Sequence, residues 1–84
     1  MKYVFDRPFA NPEAAGRKLL DIIRASIAES GLPHGYTGAT NTAFTGAGGN
    51  LDEYKAGRDH AVAHKWFEID RSGTRIVLLP DGAE

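Results

Sequence analysis

Two histidines and a group of basic side chains in the second half of the chain are the residues that could do chemistry. His60 and His64 are four residues apart, the spacing that two metal ligands use on one face of a helix. His34 could supply a third ligand, but the chain contains no His-Glu-x-x-His pattern. We therefore predict no metal and no other cofactor, with His60 and His64 as weak metal candidates beside a partner surface.

The basic residues of the same region could contact phosphates or a protein partner. Asp52 and Glu53 lie at the start of the helix that would carry them, and carboxylates at that position repel a DNA backbone. Trp66 is expected in the core where helix meets hairpin, or half exposed as an anchor for a partner. The candidate nucleic-acid or partner-binding residues are Lys55, Arg58, Arg71, Arg75 and Trp66.

Nucleophilic catalysis has little support in the sequence. There is no cysteine, and Ser26, Ser30 and Ser72 stand in helix or turn contexts without an indicated base. The glycine-rich run at residues 45–50 lacks the Lys-Ser/Thr pair of a phosphate-binding loop, which favours a flexible linker. We predict that the protein is not an enzyme.

Composition indicates a single small domain spanning residues 1–84. The formal net charge is −1 and the charges are interspersed, so there is no electrostatic reason to expect a polyanion partner. The first residues carry charges where a signal peptide needs an apolar core, and no apolar run reaches membrane-spanning length. A cytoplasmic protein without membrane contact is the expectation.

The clearest secondary-structure signal is a helix over Pro12–Ser30. Asn11 is a suitable N-cap, Pro12 suits the first helical position, and Gly31 followed by Pro33 ends the helix. Its predicted apolar stripe consists of Ala15, Leu19, Ile22, Ile23 and Ile27.

A second helix is predicted over residues 51–65. Asn50 and Glu53 have the spacing of a capping box, in which each side chain bonds the other's backbone N–H. The helical spacing of its apolar residues predicts one inward face, formed by Leu51, Tyr54, Ala61 and Val62, and an opposite face with Lys55, Arg58, Asp59, His60 and His64.

A β-hairpin follows, with a turn at residues 70–73. We predict the register that pairs Phe67 with Ile76 and Glu68 with Arg75. This register gives a cross-strand charge pair and one apolar face made of Phe67, Ile69, Ile76 and Leu78.

Two segments are ambiguous. Residues 35–49 hold five glycines and four threonines, which allows a short strand around Tyr36 and one helical turn over residues 39–44, or equally a mobile loop. Residues 3–5 could form a short strand or a hydrophobic flap.

The order of these elements resembles a winged helix-turn-helix domain, best over residues 51–84. The resemblance lies in Tyr54-x-x-Gly57-x-x-x-Ala61-Val62-x-x-Lys65-Trp66-Phe67-Glu68, a polar glycine turn, and an ending of Leu-x-Pro-x-Gly type at residues 78–82. It implies that residues 51–65 are a recognition helix and residues 70–73 a wing tip. The opening of the chain, around Lys2-Tyr3-x-Phe5-Asp6-Arg7-Pro8-Phe9, is similar to short bacterial proteins of uncharacterised function.

The sequence thus predicts an α+β, winged-helix-like domain with a long N-terminal helix, a glycine-rich middle and a capped helix followed by a C-terminal β-hairpin. The leading functional prediction is a non-enzymatic interaction module for protein–protein association, including a homodimer. The alternatives are a DNA-binding regulator and a regulator that responds to a metal or small molecule.

Overall fold

The first helix, α1 (Pro12–Ser30), has the predicted bounds in the computed structural model, which describes residues 8–80. The Asn11 side chain accepts hydrogen bonds from the N–H groups of Glu13 and Ala14, and Gly31 ends the helix with φ 75°. Residues 3–5, for which a strand or flap is predicted, lie outside the described residues, as do the last four.

One face of α1 enters the core. Ala15, Leu19 and Ile23 are buried as predicted, and Leu20 is buried beside them although it is outside the predicted stripe. Ile22 and Ile27 lie at the edge of the core and are only partly buried.

The glycine-rich middle of the chain forms a strand and a helix, so the structure agrees with the first of the two alternatives predicted for residues 35–49. Strand β1 (Gly35–Tyr36) runs directly into helix α2 (Thr37–Gly46), which is longer than the predicted single turn. Thr40 and Phe44 are buried one turn apart. Their burial fixes a segment whose glycines and threonines have low helix propensity, because tertiary packing outweighs that preference.

Helix α3 (Leu51–Ala63) begins with the predicted capping box. Glu53 N–H donates to Asn50 Oδ1 at 2.8 Å, and Asn50 N–H donates to Glu53 Oε1 at 3.1 Å. The helix ends two residues before the predicted Lys65, which instead adopts φ 64°. The N–H groups of Lys65 and Trp66 bond back to the carbonyls of Val62 and Ala61 and close the end of the helix.

Strand β2 (Phe67–Ile69) and strand β3 (Arg75–Leu78) form an antiparallel hairpin, and β1 pairs with the other edge of β3. The predicted register is wrong: Phe67 pairs with Leu78, and Glu68 pairs with Val77 instead of Arg75. The pairing differs by two residues, which leaves every side chain on its predicted face. Phe67 and Ile76 are accordingly buried, with Ile69 and Leu78 packed against them.

The side chain of Asp70 explains this register. Its Oδ1 accepts hydrogen bonds from the hydroxyl of Ser72 and from the backbone N–H groups of Gly73, Thr74 and Arg75. These bonds place the turn at residues 71–74 and bring Arg75 next to Asp70, with Nη1 3.7 Å from Asp70 Oδ2. Arg75 therefore pairs with Asp70, which is closer in sequence, instead of the predicted Glu68.

Asp70→Ala is expected to lower the melting temperature at pH 7 and to reduce the acid sensitivity of the fold. The hydrogen bond from Ser72, followed by the backbone N–H donors, lowers the pKa of Asp70 below its usual 3.8. The stabilisation is therefore present above about pH 4 and is lost as the pH falls through the lower pKa of the folded state. Thermal melts by circular dichroism between pH 7 and pH 2 should show that the difference in melting temperature between wild type and variant becomes smaller as the pH falls. A difference that stays constant over this range would contradict the role of the carboxylate.

The structure confirms a small α+β fold with three helices and a three-stranded antiparallel sheet among residues 8–80. Helix α1 crosses α3 closely at Gly57, which faces Ala15 and Gly16. The aromatic ring of Phe44 fills the space between α2, Phe9 and Tyr54. No helix in this described part of the chain has the length and apolar character needed to cross a bilayer.

Candidate interaction surface

The exposed face of α3 differs from the predicted one. Tyr54, Gly57 and Ala61 face the core, whereas Leu51 and Val62 are 54% and 39% exposed. The prediction that Leu51 and Val62 share the inward face is therefore wrong. Eleven residues correspond to about three turns, so these two side chains lie on one stripe, roughly 16 Å apart along the helix axis.

A groove runs beside this stripe, between the C-terminal half of α3 and the edge strand β2. Its volume is about 550 Å³, and its lining residues are Arg58, Asp59, Val62, Ala63, Glu68 and Ile69. Val62, Ala63 and Ile69 supply the apolar part, and the carboxylates of Asp59 and Glu68 stand at its rim. We call the groove together with Leu51 and Lys55 the α3–β2 surface.

Two of the four basic candidate residues are held by neighbouring carboxylates. Arg58 contacts Asp59 with Nη2–Oδ1 at 3.1 Å and Nε–Oδ1 at 3.2 Å, and its guanidinium lies 6.0 Å from the centre of the Tyr54 ring. Arg75 pairs with Asp70 in the hairpin. Lys55 and Arg71 are exposed on α3 and on the turn.

The charges of this side of the molecule balance. Between residues 51 and 78 there are five basic side chains and five carboxylates: Lys55, Arg58, Lys65, Arg71 and Arg75 against Asp52, Glu53, Asp59, Glu68 and Asp70. A surface that attracts DNA needs an excess of positive charge, because phosphate neutralisation supplies most of the non-specific affinity. The α3 and hairpin side therefore has no net electrostatic attraction for a polyanion.

A second cleft, of about 380 Å³, lies between the start of α2, α3 and the hairpin turn, and it includes Tyr54 and Arg58. Burial raises the pKa of the Tyr54 hydroxyl, an effect that the Arg58 charge partly offsets. Thr37 joins two walls of this cleft, since its hydroxyl donates to the carbonyl of Gly73 at 2.9 Å. The side chain of Asn41 also lines the cleft, and its buried Oδ1 has no hydrogen-bond partner within the described residues.

Trp66 lies apart from the other candidate residues, in a ring cluster on the α1 side of α3. The rings of His60 and His64 stack at 4.2 Å, and that of His60 meets Trp66 edge-on at 5.4 Å. The guanidinium of Arg17 lies 5.1 Å from the centre of the Trp66 ring. Trp66 is half-buried here, which agrees with the predicted half-exposed position; its role as an anchor for a partner stays a prediction.

The histidines do not come together as a metal site in the described residues. Within residues 8–80, no three His, Asp or Glu side chains converge as a metal would require. His34 instead packs edge-on against Tyr36 of β1, with ring centres 5.0 Å apart.

The candidate set leaves out six residues of this surface: Leu51, Asp59, Val62, Ala63, Glu68 and Ile69. A signal for two of them exists in the sequence, since Gly57 and Ala61 are small enough to meet another helix closely. Had this small-residue face been taken as the inward one, Leu51 and Val62 would have been placed about a quarter turn or more away from it.

Comparison of the chain with models of protein families, with curated proteins and with solved structures found no significant match. Its function is therefore inferred from the surface described above.

Proposed function

We propose that the chain is a small protein-association module that binds its partner through the α3–β2 surface. The observation that carries this proposal is the exposure of Leu51 and Val62 on one stripe of α3 that runs beside the groove, on a surface where the charges of Lys55, Arg58, Asp59 and Glu68 cancel. Exposed apolar side chains next to a concave apolar patch with a polar rim are typical of protein interfaces.

The energetics of this surface favour a protein over a polyanion. Covering the exposed parts of Leu51 and Val62 would contribute about 1 kcal/mol each, at about 25 cal/mol per Å² of apolar area. Arg58 and Asp59 already neutralise each other, so a partner would not have to leave either charge without a counter-charge. Apolar contacts at the centre and charges at the rim are the distribution that hot spots in protein interfaces show.

The proposal involves no catalysis, and it leaves the ring cluster and the second cleft outside the binding surface. The candidate residues on it are Lys55 and Arg58. Arg71 and Arg75 lie on the hairpin beyond it, and Trp66 lies on the other side of α3.

Binding of DNA by a winged-helix domain is the second candidate function. The observation that favours it is the element order α1-β1-α2-α3-β2-β3 with the sheet order β1-β3-β2, since a winged helix has its hairpin beside the recognition helix. In that arrangement α3 would enter the major groove and Arg71 would stand at the wing tip. The pairing of Arg58 and Arg75 with aspartates weakens this candidate.

Site-specific photo-crosslinking is expected to separate the two functions. A photoreactive phenylalanine derivative replaces Ala63, which lines the groove, or Ala28 on α1 as the matched control, because both are exposed helical alanines. In the cells that produce the protein, we expect discrete protein adducts from position 63 and none from position 28. The adducts should withstand nuclease and be detected by gel electrophoresis and mass spectrometry.

A second substitution makes this experiment specific for the surface. Leu51→Ser added to the position 63 probe should abolish the adducts, whereas Leu32→Ser, at an exposed leucine outside the surface, should keep them. Nuclease-sensitive adducts would promote DNA binding to first place. The absence of adducts at position 63, or equal adducts at position 28, would overturn the association proposal.

A further inference from the structure

The α3–β2 surface carries both a protruding apolar side chain and a groove that could receive one. Leu51, at the first turn of α3, is the most exposed of the large apolar side chains in the described residues, at 54%. The groove lies three turns further along the same helix, with Val62, Ala63 and Ile69 as its apolar lining. A surface with a projection and a matching recess on one helix can be complementary to itself under a two-fold rotation.

We propose that the partner of this surface is a second copy of the chain, with Leu51 of each copy inserted in the groove of the other. The two α3 helices then run antiparallel about a two-fold axis that passes between them, level with Lys55 and Arg58 on the exposed stripe. This inference rests on the proposed function and names its partner.

Charge complementarity supports a second copy as the occupant. Lys55 follows Leu51 by one turn on the same stripe and is exposed. When Leu51 lies opposite Val62 of the other copy, the antiparallel helices bring Lys55 level with Arg58 of that copy, in the groove that Asp59 and Glu68 also line. Because Arg58 already occupies Asp59 at 3.1 Å, Glu68 is the carboxylate left for Lys55.

Glu68 also disfavours the alternative contact, in which two copies pair through their edge strands β2. It occupies the centre of the edge strand β2, and a like charge directly opposite it would disfavour pairing of two β2 strands. A second copy is therefore directed to the groove through α3 instead of being added to the sheet edge. The resulting contact is small, which predicts a reversible dimer in the micromolar range.

Two charge reversals test the arrangement. Lys55→Glu places two acids against each other across the dimer, and Glu68→Lys places two lysines against each other, so each variant alone should bind itself about tenfold more weakly than wild type. Mixed in equal amounts, the two variants regain an opposite-charge pair at both contacts. Sedimentation equilibrium of the purified chains should show a heterodimer with an affinity within about threefold of the wild-type dimer.

The controls separate failure of this inference from failure of the proposed function. Leu51→Ser should abolish the dimer and Leu32→Ser should leave it intact, with circular dichroism confirming that each variant is folded. Wild type that stays monomeric at about 1 mM, or a mixture that associates no better than either variant alone, would overturn self-association. If the position 63 probe then still gives adducts heavier or lighter than two chains, the association function stands with a different partner; without such adducts, both fail.

Discussion

Gly57→Ala is expected to destabilise the fold by about 3 kcal/mol, at the upper end of the cost of overpacking a core. A Cβ atom at position 57 would lie 2.6 Å from the Cβ of Ala15 and 2.8 Å from both the carbonyl carbon of Ala15 and the backbone nitrogen of Gly16. Backbone atoms cannot rotate away, so α1 and α3 would have to separate. A domain of this size has only a few kcal/mol of net stability, so thermal melts should show a fall of at least 12 °C or a chain without a cooperative transition.

The same chemical change at Gly38 is the matched control. Gly38 lies in α2, and a Cβ added there would meet nothing within 4 Å. Because alanine has the better helix propensity, Gly38→Ala should be neutral or stabilising by about 0.5 kcal/mol. If Gly57→Ala melted within 2 °C of wild type, the close crossing of α1 and α3 would be wrong.

Both ends of α1 and the start of α3 could be predicted from the sequence because their signals are local. Asn11, Gly31 and the Asn50–Glu53 capping box each act within a few residues, and all of them form as expected. The middle of the chain could not be assigned, since the α2 helix depends on burying Thr40 and Phe44 against partners distant in sequence. The hairpin shows the same limit, because charge pairing favoured one register and the side-chain bonds of Asp70 fixed another.

Of the predicted candidate residues, Lys55 and Arg58 lie on the proposed surface, and their role there stays a prediction. The sequence left Arg58 and Arg75 as available contacts for a phosphate or a protein partner, whereas in the structure Arg58 turns to its neighbour Asp59 and Arg75 turns to Asp70. Packing also decides which face of α3 is exposed. Small residues set the inward face, and the spacing of large apolar residues does not reveal them. Leu51 and Val62 became surface residues because Gly57 and Ala61 lie against α1.

Gly49→Ala is the second substitution expected to have a large effect. A Cβ atom there would overlap three ring atoms of Phe44, which is fully buried and packs against the rings of Phe9 and Tyr54. Because the Phe44 ring is fully buried, any displacement disturbs the core, so we expect a cost of about 3 kcal/mol and a correspondingly large fall in melting temperature. Gly46→Ala, where an added Cβ would meet nothing within 4 Å, should remain close to wild type.

The two glycines differ in what would relieve the overlap. All three near atoms at Gly49 belong to the Phe44 side chain, so Gly49→Ala should cost much less when Phe44→Leu is present, with a coupling of about 1–3 kcal/mol in a double-mutant cycle. At Gly57, removing the Cβ of Ala15 leaves both backbone contacts in place, so Ala15→Gly should restore little. Urea unfolding of the single and double variants measures both couplings. Equal coupling energies at the two sites would mean that side chains and not backbone atoms limit the approach of α1 and α3. The orientation of the exposed face of α3 would then be less strictly determined by this crossing.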